Sequence, residues 1–509
     1  MESLKSKVKH FLSQRENQIF LLILIFAFAL RLYFFFKTYN QALWWDEADY
    51  MSIAKSYAWG TPEVAAPWRA RGMSLIFGVF YFFGANEIFQ RLIVILFSVA
   101  AVWITYIIGK DFFDAKIALI ASCFMSFLWV HLFWALRFSG ETFALVFYSL
   151  AAYFFWKGYV KKESKWYMIF SGLLIGYGIF LYESVGAIFV FLAVFLFCTE
   201  RWKFLKNKQF WWGILGLAIA LSFVFGHYYD LYGQIYPRVY HIIDGSLLQG
   251  QELDAKLEGK GILPVFFTTF IFFKNMLDYL HWVILIAFLI GLVYYLNLIV
   301  GFDLVWKNKD EKLKKDFYIL WWGVSILLFF GAYLAVTEAY YEQRYIMPAY
   351  PILFLIAAQG VVYIADFLEK QKKYLGTAAI IIIVLLSAYS QISWAAPLIE
   401  NKAYSFSQER PAGEWLKEHT KEGDILLACS QVVPFVYYSE REAITFRYNT
   451  SEVDEQIKNW TVPYLILDGY IQDCNVNYAA ERAANLTPVQ VYYEGEYPVV
   501  IIYETKGYF

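Results

Sequence analysis

Residues Ile19 to Phe36 read IFLLILIFAFALRLYFFF, and the stretch Trp44-Trp45-Asp46-Glu47-Ala48-Asp49-Tyr50 follows closely. A helix rises 1.5 Å per residue, so about 20 apolar residues cross the hydrocarbon of a bilayer, and this run is of that order. A secretory signal would show a shorter apolar core and a small-residue cleavage site, so the run predicts a retained transmembrane helix. Arg31 lies near its outer end, where a long cationic side chain can snorkel to the headgroups. A carboxylate at the bilayer centre costs about 2.5–3.5 kcal/mol on insertion scales. Asp46, Glu47 and Asp49 therefore belong at or beyond the interface, and open a loop over residues 38–86.

Outward from this stretch the pattern repeats. Hydrophobic residues make up 60% of the 509 positions and charged ones 17%, against about 25% charge in soluble globular chains. Aromatic residues are abundant, with 49 Phe, 41 Tyr and 19 Trp, as suits helices that face lipid and anchor at headgroups. The net charge of −1 gives no reason to expect a nucleic-acid partner. Apolar runs near 18–37, 87–109, 117–136, 142–158, 166–181, 184–199, 209–228, 279–300, 317–337, 348–366 and 375–395 predict a polytopic α-helical membrane protein with about 11 transmembrane helices. The shorter runs 72–84 and 262–273 read as interfacial or re-entrant pieces.

Lys and Arg crowd alternate loops. Lys157, Lys161, Lys162 and Lys165, then Arg201, Lys203, Lys206 and Lys208, then Lys370, Lys372 and Lys373 fall on the side that also holds Lys5, Lys7, Lys9 and Arg15. By the positive-inside rule that side is cytoplasmic, and the 38–86 loop and the C-terminus are outside, in a plasma, inner or endoplasmic-reticulum membrane. The sequons at Asn449, Asn459 and Asn485 agree with a translocated C-terminal segment. The division expected is a membrane domain over 1–396 and a small extracytoplasmic α/β domain over 397–509. In the latter a helical pattern begins near Glu414, strands run Asp424–Ala428 and Tyr464–Leu467, and the ending Val489–Tyr503 is β-rich. Cys123 and Cys198 read as small core residues; Cys429 and Cys474 share the C-terminal segment, where a disulfide is open but not fixed by spacing.

The acids of the 38–86 loop read in two ways: as incidental groups on a solvated loop, or as a reactive cluster. A wider set of residues bears on the choice. Arg31 at the outer end of the first helix, Asp46-Glu47 with Tyr50 and the Ala54 to Gly60 spacing form the first part. Phe82-Phe83-Gly84, Arg91-Leu92, the acid of Arg137-Phe138-Ser139-Gly140-Glu141 and Arg344-Tyr345-Ile346-Met347-Pro348 complete it. This order resembles membrane glycosyltransferases of the C superfamily, in the branch of protein O-mannosyltransferases and the aminoarabinose transferases that modify lipid A. Two departures stand out: Glu183 where the branch commonly carries Lys, and Trp68-Arg69-Ala70-Arg71-Gly72 where it usually has a Pro-rich turn.

The resemblance implies a transferase that moves a sugar from a polyprenyl-phosphate donor to a protein, lipid or glycan acceptor, with Asp46 as base and Glu47 as its partner. It also implies membrane lipid as surroundings. The chemistry suits these residue types, because attack of an acceptor hydroxyl needs a carboxylate in hydrogen-bond reach, and a departing lipid phosphate needs cations. Arg344, Arg69 and Arg71, with Tyr345, are the candidates for holding the phosphate; each Arg reads equally as an interfacial anchor. Arg31, Tyr50, Glu141 and Glu183 are candidates for lining the same cavity. The six His show no metal-ligand spacing, although acids alone could hold a divalent cation. A secondary transporter would need mid-membrane charges and an internal repeat, neither of which the sequence displays. A non-catalytic scaffold that presents the C-terminal domain is the third reading.

Overall fold

The computed structural model describes residues 13–64, 66–67, 69–237, 262–307, 310–337, 340–429, 432–446, 449–470, 477–482 and 486–505. The helices run α1 Arg15–Thr38, α2 Trp45–Trp59, α3 Gly72–Phe82, α4 Glu87–Phe112, α5 Ala115–Phe127, α6 Trp129–Trp134, α7 Gly140–Phe155, α8 Lys165–Leu181, α9 Ala187–Glu200 and α10 Lys208–Tyr232. They continue as α11 Ile262–Thr269, α12 Ile271–Lys274, α13 Met276–Leu292, α14 Leu296–Trp306, α15 Glu311–Thr337, α16 Tyr350–Gln371 and α17 Leu375–Lys402. Among the described residues nine helical stretches are long and apolar enough to cross a membrane. The chain is an integral membrane protein. Two of the expected spans, 117–136 and 166–181, fall on helices that are apolar but shorter, Ala115–Phe127 and Lys165–Leu181.

The chain divides into two compact units. The first holds 1–35, 93–136 and 140–398, the bulk of the apolar helices. Its helices approach closely where glycine replaces a side chain: a Cβ on Gly172 of α8 would sit 2.1 Å from the Gly213 carbonyl of α10, and one on Gly360 of α16 would sit 1.9 Å from that of Ala287 on α13. Without a hydrophobic drive between helices in lipid, such backbone contact is a principal source of association. The span expected over 117–136 is interrupted at Leu128, whose ψ of 120° ends α5 before α6 begins. The freed Trp129 N–H donates to Gln391 Oε1 at 2.9 Å. Gln391 Nε2 in turn donates to the carbonyls of Tyr279 and Leu280, where α13 kinks at His281 (φ 56°). One wholly buried glutamine of α17 thus satisfies two broken helices at once, which an apolar environment requires.

The second unit holds 36–92, 137–139 and 399–509, so the loop after α1 clusters with the C-terminal segment. That loop is helical: α2 and α3 pack against each other, with Gly78 so close to the Ala54 carbonyl and Tyr57 that a Cβ there would lie 3.0–3.1 Å from both. The C-terminal segment is α18 Glu409–His419, β1 Ile425–Ala428, α19 Val432–Ser439, β2 Glu442–Thr445, α20 Thr450–Trp460, β3 Tyr464–Asp468, α21 Tyr478–Glu481, β4 Thr487–Glu494 and β5 Tyr497–Glu504. Its five-stranded sheet has the order β2-β1-β3-β5-β4, parallel at β2-β1-β3 and antiparallel beyond. Alternation along β1 sends Leu426 and Ala428 to a core with Leu416 and Phe435, and Leu427 to a second core with Val453, Ile457 and Tyr478. Helices therefore cover both faces. The helix expected to begin near Glu414 starts earlier, at Glu409. Cys429 is disulfide-bonded; Cys474 and Asn485 lie outside the described residues.

Candidate active site

The acids Asp46, Glu47 and Asp49 sit at the start of α2, where exposed backbone N–H groups and the helix dipole favour negative charge. Three adjacent acids meet three different fates. Glu47 is buried and saturated: its Oε2 accepts from Trp44 N at 3.0 Å and from Arg137 Nη1 at 3.1 Å, and its Oε1 from Phe138 N at 2.9 Å. Asp49 is also buried and pairs with Arg69 Nε. Asp46 keeps 45% of its side chain exposed while Oδ1 accepts from Arg69 Nη2 at 3.2 Å. Arg69 thus bridges Asp46 and Asp49, its guanidinium 5.2 Å from the centre of the Tyr50 ring. Burial pushes the Asp49 carboxyl above its usual range, and Arg69 opposes the rise.

Arg137 is held by more than Glu47. Its guanidinium lies 3.5 Å from the Trp44 ring centre, and Phe138 packs edge-on to Phe77 of α3. The short 137–139 piece therefore locks the head of α2. Arg71 is 1% exposed and reaches Glu63 through both terminal nitrogens, at 2.6 and 3.2 Å. Behind α2, Lys55 donates to the Tyr437 carbonyl at 2.8 Å and to Glu440 at 2.9 Å, and Leu43 N donates to Tyr438 Oη at 2.9 Å. Glu87 receives Arg91 and Arg410. These ties run from α2–α4 to α18 and α19 within one unit and fix the acidic turn.

In the first unit Arg344 follows Glu342 and precedes α16, on a 3₁₀ turn Gln343–Ala349. Its Nε lies 3.1 Å from Glu141 Oε1 and pairs also with Glu342; its guanidinium lies 4.4 Å from the Trp134 ring centre and 5.7 Å from that of Tyr345. Glu141, buried at the start of α7, accepts from Tyr182 Oη at 2.9 Å. Gly140 allows this, because a Cβ there would lie 2.5 Å from the Tyr182 ring. Arg344, Glu141 and Tyr345 thus share one cluster. Glu183 begins the next 3₁₀ turn, Glu183–Gly186, and is half-buried.

Arg31 lies elsewhere, wholly buried among α1, α4 and the break after α5. Nε donates to Ser98 Oγ at 2.6 Å, Nη1 to the carbonyls of Ala27 and Ser126 at 2.9 Å each, and Nη2 meets His131 Nδ1 at 3.1 Å. A guanidinium only donates, so His131 Nδ1 accepts, and the ring proton sits on Nε2, facing Ser98 Oγ at 2.9 Å. Sequence reading missed Ser98, His131 and Arg137 because each acts through a partner distant along the chain. Among the described residues no group of three or more His, Cys, Asp or Glu is arranged to hold a metal ion.

A family model described as dolichyl-phosphate-mannose-protein mannosyltransferase matches residues 65–229. No curated protein matches the chain. Among solved structures, ArnT from Cupriavidus metallidurans bound to undecaprenyl phosphate superposes with a TM-score of 0.60 at 12% identity, covering 95% of this chain and 97% of that one. The archaeal oligosaccharyltransferase AglB from Archaeoglobus fulgidus, in complex with an inhibitory peptide and a dolichol-phosphate, superposes with a TM-score of 0.52 at 13% identity over 90% of this chain and 70% of that one. Arabinofuranosyltransferase AftD from Mycobacteria reaches 0.50 at 13% identity, covering 95% of this chain and 41% of that one. The chain has the fold shared by these membrane glycosyltransferases of the C superfamily, as the order of its motifs implied.

Proposed function

We propose that the protein is a membrane glycosyltransferase that takes a sugar from a polyprenyl phosphate, of dolichyl or undecaprenyl type, and passes it to an acceptor hydroxyl on the non-cytoplasmic face. The observation that carries the reading is the division of labour at the head of α2, where Glu47 and Asp49 are buried against cations and Asp46 alone of the three stays accessible. The ArnT and AglB structures, with their bound lipid phosphates, support the donor class.

In this reading the acceptor oxygen attacks the anomeric carbon while Asp46 takes its proton. The bond from that carbon to the phosphate oxygen breaks, the configuration inverts, and polyprenyl phosphate leaves. Arg344 is assigned to the phosphate, since guanidinium matches it in charge and fork geometry. Glu141 and Glu342 hold that guanidinium on the Trp134 ring beforehand. Glu47 acts as a positioning residue, fixing the turn that carries Asp46 through Trp44, Arg137 and Phe138. Arg69 orients Asp46 from the side.

The experiment is a panel of polyprenyl-phosphate sugars offered to the full chain in phosphatidylcholine vesicles, with release of polyprenyl phosphate as readout. Release from at least one donor, lowered about 10²- to 10³-fold by Arg344→Gln, is expected. A chain that binds and turns over none of them is not this kind of transferase.

A further inference from the structure

An apolar cavity of about 310 Å³ lies among α7, α8, α9 and α10, away from every residue assigned above. Phe155, Met168, Leu196, Phe204 and Phe210 belong to its wall, all close to one end of their helices. Its polar wall residue, Ser171, donates its hydroxyl to the Ala151 carbonyl at 2.8 Å. The wall therefore offers little to water, and an apolar space with room for roughly ten waters stays dry unless a hydrocarbon fills it.

The same helix ends carry a basic rim. Lys165 opens α8, Lys208 opens α10, and Arg201, Lys203 and Lys206 occupy the 3₁₀ turn Arg201–Lys206 between α9 and α10; all are exposed. The acids nearby are engaged: Asp111 and Glu163 by Lys157, and Glu200 by the Tyr159 hydroxyl. Trp166, Trp202 and Trp211 are exposed at the same level, and Lys165 lies 4.9 Å from the Trp212 ring centre. Exposed Trp beside Lys marks headgroup depth.

From that level the cavity reaches Ile175 on α8 and Leu217 on α10, about 15 Å inward at 1.5 Å per residue, which is one leaflet of a roughly 30 Å core. We infer that this cavity and its lysine rim form a binding site for an anionic glycerophospholipid, one acyl chain in the apolar slot and the phosphate among Lys203, Lys206 and Lys208. The charge of the rim selects an anionic headgroup, and the one-leaflet depth suits an acyl chain. The site is independent of the transfer chemistry proposed above.

The test is native mass spectrometry of the detergent-solubilised full chain titrated separately with phosphatidylglycerol, phosphatidylcholine and undecaprenyl phosphate. Phosphatidylglycerol should bind at least about tenfold tighter than phosphatidylcholine, and Lys203→Gln with Lys206→Gln and Lys208→Gln should erase that preference, at roughly a factor of five per lysine near a membrane surface. Ala193→Phe, a change at an exposed wall residue, should weaken both phospholipids, and keeps the proposal testable should the lysine variant fold poorly. Replacing Lys370, Lys372 and Lys373 with Gln should change nothing. Equal binding of the two phospholipids, a preference that survives the triple lysine variant, phospholipid binding that Ala193→Phe leaves unweakened, or displacement of phosphatidylglycerol by undecaprenyl phosphate would overturn it.

Discussion

Two regions of the second unit bury carboxyl groups, and they do so in opposite ways. At the head of α2, Glu47 faces Arg137 and Asp49 faces Arg69. Across the C-terminal segment, Glu409 of α18 and Asp468 of β3 are buried against each other, with no Lys or Arg ion pair to either among the described residues. Burial raises Glu409 well above its usual range and pushes Asp468 up to about 6, and Tyr470 N donates to Asp468 Oδ1 at 2.9 Å. A cation beside a buried acid favours its charged form; a second buried acid favours the protonated form. The first arrangement leaves the neighbouring Asp46 accessible, and the second makes a fold element sensitive to pH.

The largest effect on stability is expected at Glu47. Glu47→Gln leaves Arg137 buried without its countercharge, which costs about 3–5 kcal/mol, and thermal unfolding of the purified chain should register it. An unchanged melting temperature would mean that the Arg137 contact does not fix α2. Next comes the carboxyl pair. Both carboxyls bind their protons more tightly folded than unfolded, so their contribution is fully present below about pH 4 and is lost as pH rises through about 6, on the order of 3 kcal/mol for Asp468. Glu409→Gln should flatten that decline in melts taken from pH 5 to pH 8; a variant with the wild-type slope would assign the decline to other groups.

A smaller loss, about 1–3 kcal/mol, is expected for Arg69→Gln, which leaves Asp49 buried without its guanidinium. Denaturation of that variant beside Arg69→Lys separates charge from fork geometry: recovery by Lys says that charge suffices. The smallest effect belongs to Lys37→Ala. Its partner Glu400 and Lys37 itself are 45% and 39% exposed, so the pair contributes no more than about 0.5 kcal/mol.

The helical membrane architecture was legible in apolar runs, because span length is set by bilayer thickness alone. The sheet strands β1 and β3 were legible as short continuous apolar runs in a polar segment, whereas β2, with one inward position at Ala443, gave too little pattern to find. The break at Leu128 was invisible because Gln391, which satisfies the Trp129 N–H it frees, lies far along the chain. The stretch after Trp44 drew attention for its acids, yet nothing local told Asp46 from Glu47. That distinction rests on Arg137 and Phe138, which reach Glu47 from a segment about ninety residues on and leave its neighbour accessible.

The central claim, that the accessible acid of this turn is the base, is tested most directly by the single-turnover rate of sugar transfer in Asp46→Asn. Because Asp46 is half exposed, the variant should melt with wild type while transfer falls by about 10²- to 10⁴-fold, the usual contribution of a general base. A folded Asp46→Asn protein that transfers sugar at close to the wild-type rate would contradict it.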